Sequence, residues 1–171
     1  MRTLKEDFFD NLGISEETQI RDWLAAHNIT NYRLNKDFSI VVGGDVEIWA
    51  NKLENGELPE YIQFDKVNGN FLICDMRLGG YYIYSLRGCP KTVTCDCVIC
   101  ARELDSLEGC PKKVWLDFKC TFANELKSLE HCPKEVGGDF ICYRSKHKFS
   151  LSQIKKYCKK IGGNIENTMD I

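Results

Sequence analysis

The stretch SLEGCPK at residues 106–112 decides the fold, because it is one of three near-copies. The same pattern reads SLRGCPK at 85–91 and SLEHCPK at 128–134, so the copies start 21 and 22 residues apart. A repeat of this length is typical of a solenoid, in which each repeat forms one turn and stacks on the next. The chain of 171 residues is therefore predicted to be one domain built from stacked turns.

A second pattern follows each copy and predicts the strands of the solenoid. It reads VWLDFKC at 114–120 and VGGDFIC at 136–142, with weaker copies at 93–99, 67–73 and 42–48. In D-F-x-C the apolar residues alternate, which is typical of a short strand with Phe and Cys facing inward. The five copies predict an α+β repeat fold, a β-solenoid of about five short-strand turns.

Leucines and corner residues complete the predicted turn. Later turns carry an L-x-x-L segment, at 104–107 and 126–129, whose leucines we expect in the core. The sequence Gly-Cys-Pro-Lys predicts a corner, because glycine allows positive φ and proline fixes φ. We expect the prolines of successive corners to lie above one another: Pro90, Pro111 and Pro133.

Caps are predicted at both ends, because a solenoid must cover its terminal core faces. The predicted division of the chain is an N-terminal helical cap at 1–37, the solenoid at 38–149, and a C-terminal capping helix with a loose tail at 150–171.

Local signals place the cap helices. Ser15 before two glutamates is the expected N-cap of a first helix, and a shorter helix is expected within 3–11. Ser150 and Gln153 form the pattern of a capping box for the last helix. The glycine pair at 162–163 is expected to end that helix.

The ten cysteines are predicted to be thiols, mostly in the core. Cys120 and Cys142 occupy a repeat position that Ile73 and Ile99 fill in other turns. Such a position is apolar, and a free cysteine behaves there as a small hydrophobe. A second repeat position holds Cys89, Cys110 and Cys132. Since no export signal precedes them, we expect no disulfides and a cytoplasmic location.

One cysteine cluster is a weak candidate for a metal site. Cys95, Cys97 and Cys100 are close enough in sequence to supply three thiolates to zinc, with Cys74 or Cys120 as a fourth ligand. Alternatively, Cys97 replaces the inward phenylalanine of its strand, and the three remain separate thiols. Because no paired C-x-x-C motifs are present, we predict the second arrangement and no bound metal.

No catalytic motif is present in the chain. The nucleophile elbow, the zinc-protease helix, the P-loop and the dinucleotide fingerprint are all missing. Aspartates recur at one repeat position, and we expect them to bond turn amides rather than to act as acids or bases: Asp45, Asp96, Asp117 and Asp139. We predict that the protein is not an enzyme and needs no cofactor.

Two sets of residues are predicted to bind a partner. The aromatic set is Tyr82, Tyr84, Trp115 and Phe122. The basic set is Arg144, Lys146, Lys148, Lys155 and Lys156. Because exposed aromatic residues are typical anchors of protein interfaces, these sets predict a non-catalytic protein-binding scaffold.

Charge leaves nucleic acid as the alternative partner. Residues 1–66 carry a net charge of −6, and residues 67–171 carry +4. The basic half favours a nucleic-acid-binding protein and the acidic half a nucleic-acid mimic, but the acidic half would repel a long duplex. No apolar run approaches the ~20 residues that a membrane span needs, so we expect no membrane partner.

The two alternating patterns resemble a leucine-rich-repeat-like solenoid family that is common among hypothetical proteins of tailed bacteriophages. The segment from Ile20 to Asn35 and the sequence GGDV at 43–46 resemble that family's N-terminal cap and first repeat, and the resemblance covers roughly residues 18–150. It implies a leucine-rich-repeat-like fold and a host-directed role in the host cytoplasm, such as inhibition of a bacterial defence enzyme or CRISPR complex. The chain departs from the family pattern at 92–102 and at His131, which replaces the corner glycine.

Overall fold

The fold is that of a computed structural model, which describes residues 15–75, 80, 82–145 and 148–169. The helix predicted within residues 3–11 lies outside these ranges. Helix α1 is Glu16–Ala26, helix α2 is Leu151–Tyr157, and a short 3-10 helix is Ala50–Lys52.

Two sheets run along the molecule. The first sheet contains, in order, β1 (Tyr32–Leu34), β2 (Ile40–Val42), β4 (Phe64–Val67), β6 (Thr92–Val93), β8 (Lys113–Val114), β10 (Glu135–Val136) and β12 (Lys160–Ile161). The second contains β3 (Val46–Trp49), β5 (Phe71–Cys74), β7 (Cys97–Cys100), β9 (Phe118–Thr121), β11 (Phe140–Ser145) and β13 (Ile165–Met169). All neighbouring strands are parallel except β1 and β2, which are antiparallel.

The prediction of a β-solenoid with about five turns is confirmed. The chain passes from the first sheet to the second and back once per turn, so each strand pairs with its equivalent in the next turn. Equivalent residues of the second sheet are separated by 25, 26, 21, 22 and 25 residues. Strands β3, β5, β7 and β9 all have four residues while the connecting segments vary, because pairing constrains only the strands.

The core is a set of ladders of equivalent apolar residues. Phe118 and Phe140 are fully buried with ring centroids 5.2 Å apart, and Cys120 and Cys142 are buried beside them. This confirms the inward direction predicted for D-F-x-C. The predicted leucines are also in the core, each at 1% exposure or less: Leu104, Leu107, Leu126 and Leu129.

A ladder of side chains joins the turns where the second sheet begins. The Asp117 carboxylate accepts the backbone N–H of Asp139 at 2.9 Å, and the Asp139 carboxylate accepts that of Asn164 at 2.6 Å. The hydrogen bond from the N–H of Asp139 holds the pKa of Asp117 below its usual range, and Lys119 lowers it further. The same bond recurs in earlier turns through Asp45, Asn70 and Asp96. The prediction that these aspartates satisfy turn amides is confirmed.

The corners also follow the sequence. The strand register places Pro90, Pro111 and Pro133 at equivalent positions, as predicted, and all three are buried. The preceding corner residue has positive φ in each turn, at 83° for Gly88, 88° for Gly109 and 68° for His131. His131 therefore adopts a left-handed conformation that glycine would adopt more easily.

Replacing His131 with glycine is expected to stabilise the protein. The left-handed conformation costs a non-glycine residue ~1–2 kcal/mol, part of which is offset by the greater freedom of glycine in the unfolded chain. We expect His131→Gly to raise the free energy of unfolding by about 0.5 kcal/mol. Urea melts measure this change, and a lower midpoint would contradict it.

Helix α1 begins and packs as predicted. The Ser15 hydroxyl accepts the N–H of Thr18 at 3.3 Å, which caps the helix. Ile20 and Leu24 are fully buried, and the Trp23 ring meets the Phe64 ring edge-on at 6.3 Å. The helix therefore contributes one apolar face to the first turn of the solenoid.

Helix α2 begins with the predicted capping box, but its end and the tail after it differ from the prediction. Ser150 and Gln153 cap each other, and the helix ends at Tyr157, before the glycine pair at 162–163. Strands β12 (Lys160–Ile161) and β13 (Ile165–Met169) then follow, so the predicted loose tail is wrong for the described part. The reason is that IGGNI at 161–165 repeats VGGDF, and its Asn164 joins the side-chain ladder. Neither helix of the described chain is long and apolar enough to cross a membrane.

Candidate functional site

A groove of about 990 Å³ runs along the Gly-Cys-Pro-Lys corners. Its lining extends from Asp37 to Lys134 across successive turns, and includes Gly109 and Cys110. Because it follows the repeat, equivalent residues of each turn occupy equivalent places along it.

A row of lysines lines the groove. Lys91, Lys112 and Lys134 are exposed and occupy equivalent positions, because the N–H of each later lysine donates to the carbonyl of the one before at 2.9 Å. Paired parallel strands are ~4.8 Å apart, so the row has that spacing. Lys91 pairs with Asp65 at 3.2 Å. Lys112 and Lys134 make no ion pair with any residue that the structure describes, so their charges face solvent.

The segment just before the corner also lines the groove, and it contains polar and acidic residues. Asp105 and Glu108 line the groove ahead of Gly109, while Lys112 follows it. The Ser106 hydroxyl accepts the N–H of Glu108 at 3.1 Å and fixes this approach. In each S-L-x-G-C-P-K copy, a serine therefore precedes the corner and a lysine follows it. In the copy at 106–112, carboxylates also precede the corner.

The predicted aromatic set is dispersed over the molecule. Tyr84 lines the groove with half of its surface exposed, and Tyr82 lies edge-on to it at 6.3 Å. Trp115 is equally exposed but lies at the corner between β8 and β9, where the Lys66 Nζ is 5.8 Å from its ring centre. The other two members of the set are less exposed. Tyr82 is half-buried, and so is Phe122, beneath the Arg102 guanidinium.

The predicted basic set is only partly described. Lys148, Lys155 and Lys156 are exposed at and before helix α2, and none of them belongs to the described lining of the groove. The Arg144 side chain and Lys146 lie outside what the structure describes.

The three cysteines of the candidate metal site do not converge. Cys97 is fully buried in the core, whereas Cys100 lies at the opposite face of β7 and is half-buried. Strand alternation separates them, since residues three apart point to opposite faces. Within the described residues, no group of three or more His, Cys, Asp or Glu side chains could hold a metal ion.

Burial controls the chemistry of the core thiols. Cys89, Cys110 and Cys132 are 7% exposed or less, which agrees with the predicted apolar position. Burial raises the pKa of Cys132 to about 12 and raises that of Cys89 further, because a thiolate loses its hydration there. These thiols are therefore packing groups rather than nucleophiles.

No family model, curated protein or solved structure matches this chain. The functional argument therefore depends on geometry, and the groove was not predicted from the sequence. Its signal was the lysine that ends each copy of S-L-x-G-C-P-K, at Lys91, Lys112 and Lys134. That lysine repeats as regularly as the core residues, although it is exposed.

Proposed function

We propose that the protein is a non-catalytic scaffold that binds an extended segment of a partner protein in the lysine-lined groove. The observation that supports this is the mixed charge of the groove lining, which contains the lysines Lys112 and Lys134 together with the carboxylates of Asp105 and Glu108. An extended segment offers side chains alternately to opposite sides, so it can place acidic residues against the lysines and polar or basic residues against the carboxylates. Tyr84 at the same groove supplies an aromatic anchor.

Nucleic acid is the second candidate, and the carboxylates argue against it in the groove. A phosphate backbone is negative along its whole length, so Asp105 and Glu108 would repel it in the same groove in which the lysines attract it. A polypeptide can vary its charge from one residue to the next. The two kinds of partner also differ in the salt dependence of binding. Nucleic-acid affinity falls steeply as the salt concentration rises, because the release of counterions becomes less favourable.

Peptide selection tests the proposal directly. A library of short random peptides is selected against the purified protein, and we expect binders rich in Asp, Glu and aromatic residues. Reversing two groove charges with Lys112→Glu and Lys134→Glu is expected to weaken the selected peptides about tenfold or more. Fluorescence anisotropy measures the affinities.

The control reverses two exposed lysines that do not line the groove, with Lys52→Glu and Lys160→Glu. This variant has the same net charge as the groove variant, so it is expected to bind like the wild type. Equal loss in both variants would indicate a general charge effect and would contradict a groove site. Tighter binding of a single-stranded oligonucleotide than of any peptide, with a steep salt slope, would favour the second candidate.

The resemblance to phage solenoid proteins extends the proposal to the target. It supports a leucine-rich-repeat-like protein with helical caps that acts in the host cytoplasm and inhibits a bacterial defence enzyme or CRISPR complex. Expressing the protein in bacteria that carry an active defence system tests this. We expect phage plating to rise with the wild type and not with the groove variant, whereas equal plating with both would contradict a groove-dependent inhibitor.

A further inference from the structure

Cys74 and Cys100 lie side by side on the outer face of the second sheet. They are register partners in the parallel pair of β5 and β7, and each is the last residue of its strand. Both are half-buried, so solvent reaches them, unlike the cysteines of the core. The groove plays no part in their arrangement.

Hydrogen bonds give the two sulfurs different roles. The Thr121 hydroxyl donates to the Cys100 Sγ at 3.1 Å, whereas the Cys74 thiol donates to the carbonyl oxygen of Asp75 at 3.4 Å. The neighbouring Cys74 side chain, and after it the Thr121 hydroxyl, lower the pKa of Cys100 to about 7, although burial and Asp75 oppose them. The pKa of Cys74 is raised by the neighbouring Cys100 sulfur and by burial. Cys100 is therefore the more acidic thiol of the pair.

The backbone around the pair is held in place. The N–H of Asp75 donates to the carbonyl of Cys100 at 2.7 Å. The Asp75 carboxylate accepts the N–H groups of Arg102 and Ile83, each at 2.6 Å. The residues that follow the two cysteines are thus tied to each other, which fixes the pairing of the strand ends.

A second register pair shows what distinguishes the outer one. Cys120 and Cys142 are partners in β9 and β11, but both face the core at 1% exposure or less. The neighbouring Cys142 and burial raise the pKa of Cys120 well above its usual value. The same spacing inside the core therefore gives thiols that neither ionise nor meet an oxidant from solution.

We propose that Cys74 and Cys100 are a redox-active thiol pair that hydroperoxides oxidise to a reversible disulfide between adjacent turns. Paired parallel strands place α-carbons ~4.8 Å apart, which is inside the range of ~4.4–6.8 Å that disulfides span. Because β5 and β7 end at these residues, the side chains can approach without disrupting the ladder before them.

The reaction balances with a hydroperoxide as the oxidant. The Cys100 thiolate attacks one peroxide oxygen, the O–O bond breaks, and the other oxygen leaves and takes a proton from solvent. The product is a sulfenic acid on Cys100. The Cys74 sulfur then attacks the Cys100 sulfur, the S–S bond forms, and the S–O bond breaks. The departing hydroxide takes the Cys74 proton and becomes water, so two thiols and one hydrogen peroxide give one disulfide and two waters. A dithiol reductant reverses the change.

Peptide mapping after treatment with hydrogen peroxide tests the proposal on the full chain. We expect the wild type to lose two hydrogen atoms in mass and to give a crosslinked peptide joining Cys74 to Cys100, which dithiothreitol releases. Cys74→Ser is expected to stop at the sulfenic acid, which dimedone traps on Cys100. Cys100→Ser is expected to form no crosslink under the same conditions. The control is Cys95→Ser, which removes another half-buried cysteine and should leave the crosslink unchanged.

The pH dependence gives a second readout that needs no variant. The charged or titratable groups that act on the two sulfurs are the other cysteine of the pair, Asp75 and Arg102. Of the groups that act on Cys100, the Cys74 side chain has the largest effect and lowers its pKa. Alkylation of Cys100 by iodoacetamide is therefore expected to rise about tenfold per pH unit up to about pH 7 and then to level off. A crosslink at Cys120–Cys142, equal oxidation of all cysteines, or alkylation that still rises steeply above pH 8 would overturn the proposal.

Discussion

Leu107→Ala and Leu129→Ala are each expected to lower the free energy of unfolding by ~2–5 kcal/mol. Both leucines are buried to 1% exposure or less at equivalent positions of successive turns. Each truncation removes the contacts of one ladder member and leaves a cavity between the neighbours above and below it. Urea unfolding followed by circular dichroism measures the change.

Asp105→Ala is the control for the leucine variants. Asp105 is exposed and lies two residues before Leu107, so its truncation is expected to change the free energy of unfolding by less than ~0.5 kcal/mol. Equal midpoints for the three variants would contradict the register of the turns, because that register alone places the leucines inside and the aspartate outside.

Gly109→Ala is expected to lower the free energy of unfolding by ~2–4 kcal/mol, for two reasons that add. Gly109 has a φ of 88°, which is unfavourable for alanine. A Cβ at this position would also collide with the carbonyl oxygen of Leu86 in the preceding turn. That oxygen belongs to the backbone, so it cannot move aside without disturbing the stack. Denaturant melts again measure the effect.

Gly44→Ala provides the matched control for Gly109→Ala. A Cβ on Gly44 would have no other atom within 4 Å, and its φ is not in the left-handed region. We therefore expect this variant to be unchanged or more stable by about 0.5 kcal/mol, because alanine restricts the unfolded chain. A loss as large as that of Gly109→Ala would show that alanine is destabilising for reasons other than the close approach of the turns.

The regular middle of the solenoid was predictable because its repeats carry all of their own signals. S-L-x-G-C-P-K and V-x-x-D-F-x-C identify the inward residues directly, and Leu107, Phe118 and Cys120 are buried as predicted. The final turn was missed although IGGNI at 161–165 repeats VGGDF at 136–140. Its copy lacks the aspartate and the phenylalanine, and the preceding helix α2 interrupts the period. The capping signal of helix α2 therefore hid the strands that follow it, which form only by pairing with the preceding turn.

The candidate sites were harder to predict because they depend on side chains from different turns. Cys74 and Cys100 both follow the last isoleucine of their repeats, but their contact depends on a register in which the turn is 26 residues long. Lys112 and Lys134 are visible in the sequence as repeated residues. Repetition alone, however, does not show whether such residues form an exposed row or pack within the fold. Only the folded geometry shows that the lysines and the carboxylates line the same groove.

Because of the side-chain ladder, the solenoid can be lengthened or shortened by whole turns. Each aspartate bonds the next turn in the same way, so deletion of residues 118–139 would join Asp117 directly to Phe140 and restore D-F-I-C across the junction. Asp117 would then accept the N–H of Asn164, as Asp139 does in the full chain. The groove would shorten by one step of ~4.8 Å and lose one lysine. A chain of this design can change the length of its groove by gaining or losing whole turns, while each remaining turn keeps the neighbours that it requires.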